Sequence, residues 1–303
     1  MTNGAGDTPF RSGFVAVVGR PNVGKSTLVN ALVGQKVAIT SDKPQTTRSA
    51  IRGIVDLPEM QMVLIDTPGY HKPRTLLGRR LNEVVRSAWA DVDLALFVVD
   101  GSAGIGRGDE KVTRDLAAAG CGVILVVNKI DRMGRDDVAA QLVRATELAD
   151  FAEYVPVSAR EGIGVSTLRD VMGGYMPPGP PYYPPGTRTD QPPPRFVAEL
   201  VREKLLARMK DEVPHSIAVV TEEFEEREDG LLTVSAIVFV ERDSQKGIVI
   251  GKGGSTLKAV GIESREEIEL LFGRRVYLDL RVKVEKDWQR RAYALERLGL
   301  GDA

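Results

Sequence analysis

Nine of the chain's seventeen prolines fall between Pro177 and Pro194, in the run PPGPPYYPPGTRTDQPPP. Proline fixes φ and lacks an N–H donor, so such a stretch favours an extended, semi-rigid spacer and divides the chain in two. Residues 1–12 are expected to form a flexible tail, 13–176 a first domain, 177–194 the linker and 195–303 a second domain. A length of 303 residues suits two modules of roughly 100 to 200 residues each. Charges nearly cancel, with 41 Lys plus Arg against 42 Asp plus Glu, so contact with a polyanion must come from a local patch. The lone Cys121 excludes a disulfide framework or a cysteine metal cluster. No run approaches the roughly 18 to 20 apolar residues that span a bilayer, and the first residues lack a secretory signal's pattern. A cytoplasmic protein is the expectation.

Before the prolines, short apolar runs (14–18, 62–66, 94–100, 123–128 and 154–157) alternate with helical stretches, which predicts an open α/β sheet covered on both faces. Ligands of such sheets bind beyond the carboxyl ends of the strands. The first run enters Gly19, Arg20, Pro21, Asn22, Val23, Gly24, Lys25, Ser26 and Thr27, two glycines four residues apart followed by Lys-Ser, and a helix follows. Backbone N–H groups at that turn can cradle phosphates, Lys25 can reach the β- and γ-phosphates, and the Ser26 hydroxyl can bind Mg²⁺. Asp66, Thr67, Pro68 and Gly69 end the second run. There a carboxylate can hold Mg²⁺ through water and the Gly69 N–H can meet a γ-phosphate, although an ordinary turn explains these residues equally well. Asn128, Lys129 and Asp131 follow the fourth run. The Asp131 carboxylate can accept from guanine N1–H and the exocyclic amine, a pair of donors that adenine lacks. Ser158 and Ala159 follow the fifth run, and a backbone N–H there can meet guanine O6, with a capping serine as the plain alternative.

GRPNVGKS, DTPG, NKID and SA, in this order, resemble the guanine-nucleotide motifs of translation-factor-class GTPases, and VAITSDKPQTTR resembles the first switch of the Era-like branch. Thr47 is expected to close on Mg²⁺ when a γ-phosphate is present, with Thr46 as the runner-up. Lys25, Thr47 and Gly69 are the expected catalytic groups, and Ser26, Thr47 and Asp66 the metal ligands. Many GTPases place Gln after the DTPG glycine to orient water; here Tyr70 stands there, so hydrolysis should be slow without an activator. The resemblance ties Asn22 to potassium-assisted hydrolysis. His71 reads as a surface or anchoring residue before it reads as a base.

The second half changes character. FVAELVREKLLARM has the spacing of an amphipathic helix, and RVYLDLRVKVE alternates as a strand. Between them Lys246, Ile248, Val249, Ile250, Gly251, Lys252, Gly253, Gly254 and Lys258 form a basic, glycine-rich connection. Residues 244–262 hold three lysines and no acid, whereas residues 221–229 hold six acids and one arginine. A GXXG loop that lets a backbone approach closely is the clamp of the KH module, with Ile248, Val249 and Ile250 as the expected apolar floor for bases. The whole resembles an α/β P-loop GTPase domain followed by a smaller α+β type II KH domain, the arrangement of the Era-like family. That resemblance implies GTP and GDP, the 3′ end of 16S rRNA and the 30S subunit as partners, and peripheral association with the inner face of the cell membrane; a monomer is the expectation. A constitutive RNA-binding chaperone with negligible turnover is the alternative reading.

Overall fold

The computed structural model describes residues 9–70, 73, 75–89, 91–117, 120–210 and 213–300. His71 lies outside them. The chain forms two compact units, one of residues 1–38, 47–71 and 81–190, the other of 39–46, 72–80 and 191–303.

The first unit is built on β1 (Arg11–Val18), β2 (Ile51–Leu57), β3 (Met60–Asp66), β4 (Leu94–Asp100), β5 (Gly122–Asn128) and β6 (Glu153–Pro156), in the sheet order β2-β3-β1-β4-β5-β6. β2 runs antiparallel to β3 and the other pairs are parallel. Side chains alternate across the sheet. Val15 and Val17 face a cluster with Leu28 and Leu32 of α1 (Lys25–Val33) and Leu168 and Met172 of α5 (Val165–Gly174). Ala16 and Val18 face another with Val85 of α2 (Leu76–Ala88), Val112 of α3 (Arg107–Leu116) and Ala145 of α4 (Arg135–Thr146). Strand order reverses at β1, which opens a crevice at its carboxyl end, where the glycine turn begins. The edge strand β2 escapes a search for apolar runs because IRGIVDL carries Arg52 and Asp56.

Two boundary expectations are corrected. Arg11 and Ser12 are not a flexible tail but pair with Met60 and Gln61 as the start of β1. The proline-rich run is a strap, not a spacer. Ser12 N–H donates to Pro177 O at 3.0 Å and Ile54 N–H to Arg188 O at 2.8 Å. The fully buried Gln61 accepts from Tyr182 and Tyr183 N–H at 2.8 Å each and donates to Tyr183 O at 3.0 Å. Prolines lack donors, but the non-proline residues among them have N–H groups, and Gln61 and Asp56 collect these; Gly186 N–H meets Asp56 at 2.7 Å. The strap thereby covers the open edge of β2.

The second unit contains α6 (Pro193–Arg208), β7 (Ala218–Glu226), β8 (Leu232–Val240), α7 (Asp243–Ile250), α8 (Ser255–Phe272), β9 (Val276–Val284) and α9 (Ala292–Arg297). β7 is antiparallel and β9 parallel to the central β8, all nine of whose residues are buried. Proline is tolerated in the first turn of α6, where helical N–H groups have no partner anyway. Residues 39–46 belong to this unit. Ile39 joins the apolar cluster of Phe196, Val197 and Leu200, and Thr40 N–H donates to Glu203 at 2.8 Å.

Replacing Gln61 with Leu should leave two strap N–H groups without their acceptor and lower stability by about 1–3 kcal/mol. Urea unfolding should show this, with faster chymotrypsin cleavage beside Tyr182 and Tyr183; unchanged stability and cleavage would refute the strap's role.

Candidate nucleotide and RNA sites

The glycine turn leaves β1 and enters α1 at Lys25. Gly24 has φ 98°, and a Cβ on it would lie 2.3 Å from Asn128 Nδ2, so no side chain fits between the two loops. Lys25 is buried and donates to Gly19 O at 3.2 Å and Arg20 O at 3.1 Å. Burial lowers its pKa to about 8, against the raising influence of Asp66. Its charge is therefore complete only well below that pH, and an arriving phosphate would favour the protonated form. Arg20 points elsewhere, with Nε 2.8 Å from the buried Asp109 of α3.

Ser26 donates to Asp66 Oδ2 at 2.6 Å, and Thr47 Oγ1 lies 3.0 Å from Ser26 Oγ and 3.3 Å from Asp66 Oδ2. Burial raises the Asp66 pKa, opposed by Lys25 and by the Ser26 and Thr47 hydroxyls. The other oxygen, Oδ1, is buried without a hydrogen-bond partner among the described residues. Hard oxygens converging beside an unsatisfied carboxylate atom are a donor set that fits Mg²⁺. Thr46 is turned from this cluster, its hydroxyl donating to Lys43 O at 2.7 Å.

Thr67 Oγ1 donates to Val17 O at 2.8 Å. Gly69 lies against the glycine turn, where a Cβ would come within 2.6 Å of Pro21 Cα. Tyr70 N–H donates to Gly19 O at 3.2 Å while its ring packs toward Trp89, with centroids 6.2 Å apart, and Arg86 reaches its hydroxyl at 3.4 Å. The residue in glutamine's place is thus core.

Asn128 binds three loops. Its Nδ2 donates to Val23 O at 2.9 Å, and its Oδ1 accepts from Lys129 N at 2.8 Å and Ala159 N at 3.0 Å. The Ala159 N–H, one of those expected to meet guanine O6, donates here to Asn128 Oδ1. Ser158 Oγ donates to Asp131 Oδ1 at 2.6 Å and accepts from Glu161 N at 3.2 Å, so the serine orients the carboxylate as well as closing a turn. Lys129, at φ 68°, reaches back to Asn22 O and Asp100 Oδ2, each at 2.6 Å. Asp100 was not anticipated; an acid at the carboxyl end of β4 was its signal.

In the second unit, Gly251 closes α7, and Lys252, Gly253 and Gly254 form a 3-10 turn before α8. Nothing lies within 4 Å of a Cβ built on Gly253 or Gly254, so this turn is open. Among the described residues Lys246, Lys252 and Lys258 have no ion-pair partner. Ile248 is 53% exposed, but Val249 is buried in the core with Val201, Leu205 and Val238, which corrects its place in the expected floor. Beside α8 an apolar cavity of about 420 Å³ is lined by Leu257, Gly261 and Ile262 of α8 and Leu278 and Leu280 of β9, with Lys258 and Arg265 also lining it. The four-residue spacing of Leu257, Gly261 and Arg265 and the alternation of β9 were the signals that could have found it.

Known proteins share both sites' frames. The family described as 50S ribosome-binding GTPase matches residues 14–129, and the KH domain family matches residues 212–289. GTPase Era of Mycobacterium avium is 54% identical over 297 residues, covering 96% of this chain and 99% of its own. That of Mycobacterium tuberculosis is 53% identical over the same shares. Crystal structures of an Aquifex aeolicus Era variant bound to GDP·AlF4⁻, and of Era with MgGDPNP and nucleotides 1506–1542 of 16S ribosomal RNA, each superpose with a TM-score of 0.93 at 37% identity, covering 96% of this chain and 99% of theirs. The chain belongs to the Era family of GTPases, a P-loop GTPase domain carrying a KH RNA-binding domain.

Proposed function

We propose that the chain is a GTP-driven RNA-binding switch that holds the 3′ end of 16S rRNA and assists maturation of the 30S subunit. The observation that carries the nucleotide half is the Asn128 junction, which sets the phosphate turn, the Asp131 carboxylate and the Ala159 loop in one rigid frame. A relative holding MgGDPNP and a 16S rRNA segment supports the pairing of ligands. The reading extends to a cytoplasmic monomer with peripheral contact to the inner face of the membrane; among the described residues no helix is long and apolar enough to cross one.

Gly19 to Thr27 would surround the phosphates with N–H groups, and Lys25 would exchange its two carbonyl acceptors for phosphate oxygens. Ser26, Thr47 and Asp66 would hold Mg²⁺, which when bound would supply positive charge to offset that of the phosphate oxygens. Water attacks the γ-phosphorus in line as the bond to the β,γ-bridging oxygen breaks; GDP leaves with the electron pair, and the water's proton passes to a phosphate oxygen of the inorganic phosphate formed. Lys25 and the Gly69 N–H stabilise the charge that develops on the phosphoryl oxygens. Tyr70 is packed in the core, so water must be ordered by the backbone or by an activator, and unassisted turnover is slow. That same burial favours the second reading, an RNA chaperone with negligible turnover.

In the KH unit the open Lys252–Gly254 turn would take backbone phosphates, and the Leu257–Leu280 cavity would take unstacked bases. Residues 244–262 carry no acid, and Lys246, Lys252 and Lys258 would hold RNA in a salt-dependent way.

Multiple-turnover phosphate release separates the two functions: steady release stimulated by RNA supports the switch, and release no faster than one turnover per bound nucleotide supports the chaperone. Potassium at Asn22 would make the rate higher in potassium than in sodium at equal ionic strength, and equal rates exclude it. Asp131→Asn should cost about a hundredfold in GTP affinity, through loss of two charge-assisted hydrogen bonds, while improving xanthosine triphosphate binding. Retained GTP preference would remove Asp131 from the base site. Gly253→Asp places a carboxylate in open space at a φ of 62°, which Asp tolerates. RNA affinity should fall at least about tenfold with RNA-free hydrolysis unchanged, because the new charge opposes phosphate; unaltered RNA binding would locate the RNA elsewhere.

A further inference from the structure

Strand β4 ends at Asp100, which lies in register beside Asn128 at the end of β5. The Asp100 carboxylate is aimed by its own loop. Its Oδ1 accepts from Ser102 N–H at 3.1 Å, from the Ser102 hydroxyl at 2.7 Å and from Ala103 N–H at 3.2 Å, while Oδ2 accepts from Lys129 Nζ at 2.6 Å. The Asp100 and Lys129 side chains are only 14% and 21% exposed, so water screens this ion pair weakly. Burial by itself would raise the Asp100 pKa, yet the bonds from Lys129 and Ser102 hold it below the usual carboxylate value, and the group is ionised at neutral pH.

Lys129 joins three segments. Its ammonium also donates to Asn22 O of the phosphate turn at 2.6 Å, and a Cβ on Gly24 would lie 4.0 Å from its Cε. Its backbone stands at φ 68°, a left-handed conformation that lysine seldom adopts, and opens the turn Ile130–Arg132 that carries Asp131. Holding a long aliphatic stem in one rotamer costs entropy, so the head group needs fixed acceptors at its far end. Asp100 is the charged one of the two. Next to it Gly101 N–H donates to Asn128 O at 2.9 Å, and a Cβ there would come within 2.7 Å of Met133 Sδ and 2.8 Å of Val127 Cγ1. The end of β4 therefore holds the loop after β5 twice, once through its main chain and once through the lysine head.

We propose that Asp100 is a positioning residue for guanine-nucleotide binding, which pins the Lys129 ammonium against Asn22 O and so ties the Asp131 loop to the phosphate turn. The inference rests on the reading of Asn128 to Asp131 as the loop that meets the base. Among the described residues Asp100 bonds to none of Lys25, Ser26, Thr47 and Asp66. It follows that GDP and GTP lose affinity alike when the pin is removed, that the loss shows as faster release, and that the hydrolytic step in the filled site is spared.

The test uses the full chain, a fluorescent GDP, a fluorescent non-hydrolysable GTP analogue, and the variants Asp100→Asn, Lys129→Met and the double. In Asp100→Asn the three donors of the turn keep Oδ1, so the new amide N–H groups face the ammonium and donor meets donor. Release of both nucleotides should quicken about tenfold, the size of one lost charge-assisted hydrogen bond. In single-turnover hydrolysis the protein concentration giving half the maximal rate should rise by the same factor while the plateau stays within about twofold, a split that general loosening of the domain would not produce. The double variant should release GDP no faster than Lys129→Met. Normal release in Asp100→Asn beside fast release in Lys129→Met overturns the inference alone, as does a loss confined to one nucleotide or a double variant whose losses multiply. Normal release in Lys129→Met overturns the reading of the loop and the inference with it. Should Asp100→Asn fail to fold by circular dichroism, Ser102→Ala, which removes one of the three donors that aim the carboxylate, should quicken GDP release about threefold in the parent and not in Lys129→Met; no change in the parent, or an equal change in both, overturns the inference.

Discussion

The side-chain amide of Asn128 is the interaction on which the nucleotide site depends. An amide offers two N–H donors and one carbonyl acceptor in a fixed plane, and here it spans Val23 O, Lys129 N and Ala159 N. Each partner sits on a loop that leaves a different strand, so one planar group registers three strand ends. It is nearly fully buried, so water does not compete for these bonds and each is worth more than an exposed one. Gly24 makes the arrangement possible by presenting no Cβ where Nδ2 passes.

The phosphate end of the site is arranged by the opposite device, a cluster of charges held in unfavourable surroundings. Lys25 and Asp66 are both buried, and burial works against ionisation of each. Their mutual attraction and the hydroxyls of Ser26 and Thr47 offset part of this cost. A ligand bringing negative phosphate to Lys25 and a hard cation to Asp66 relieves both groups together. The electrostatic strain at Lys25 and Asp66 thus favours a ligand that replaces the carbonyl acceptors of Lys25 with phosphate oxygens.

The parts that could be read from the sequence were those whose chemistry is local. A glycine turn between an apolar strand and a helix, an acid at a strand end and an alternating strand such as β9 each follow from neighbouring residues. What escaped required knowing what lies across the fold. The prolines of residues 177–194 predict an extended chain, and the chain is extended, but partners more than a hundred residues away, Gln61 and Asp56 among them, turn it into a strap. Val249 and Ile248 are equally apolar in sequence, yet one is core and the other surface, because the face of α7 is decided by packing on β8. Tyr70 read as a missing glutamine; its burial beside Trp89 depends on a helix whose face the strand pattern does not specify. Edge strand β2 was missed because solvent on one side allows Arg52 and Asp56 into it.

Near-zero net charge would seem to argue against RNA binding, yet the ion pairs of the second unit remove that objection. Lys204 meets Glu267, Arg208 meets Glu263, Arg274 meets Glu226 and Lys283 lies 3.7 Å from Glu222. These acids are spent within the protein, between α6 and α8 or across the β-sheet, and their fields are largely cancelled beyond a Debye length. Lys246, Lys252 and Lys258, by contrast, have no such partner among the described residues and flank one open glycine turn. If that turn takes RNA phosphates, as proposed, the charge it offers comes from these three lysines, and selection among bases would fall to the apolar cavity between α8 and β9.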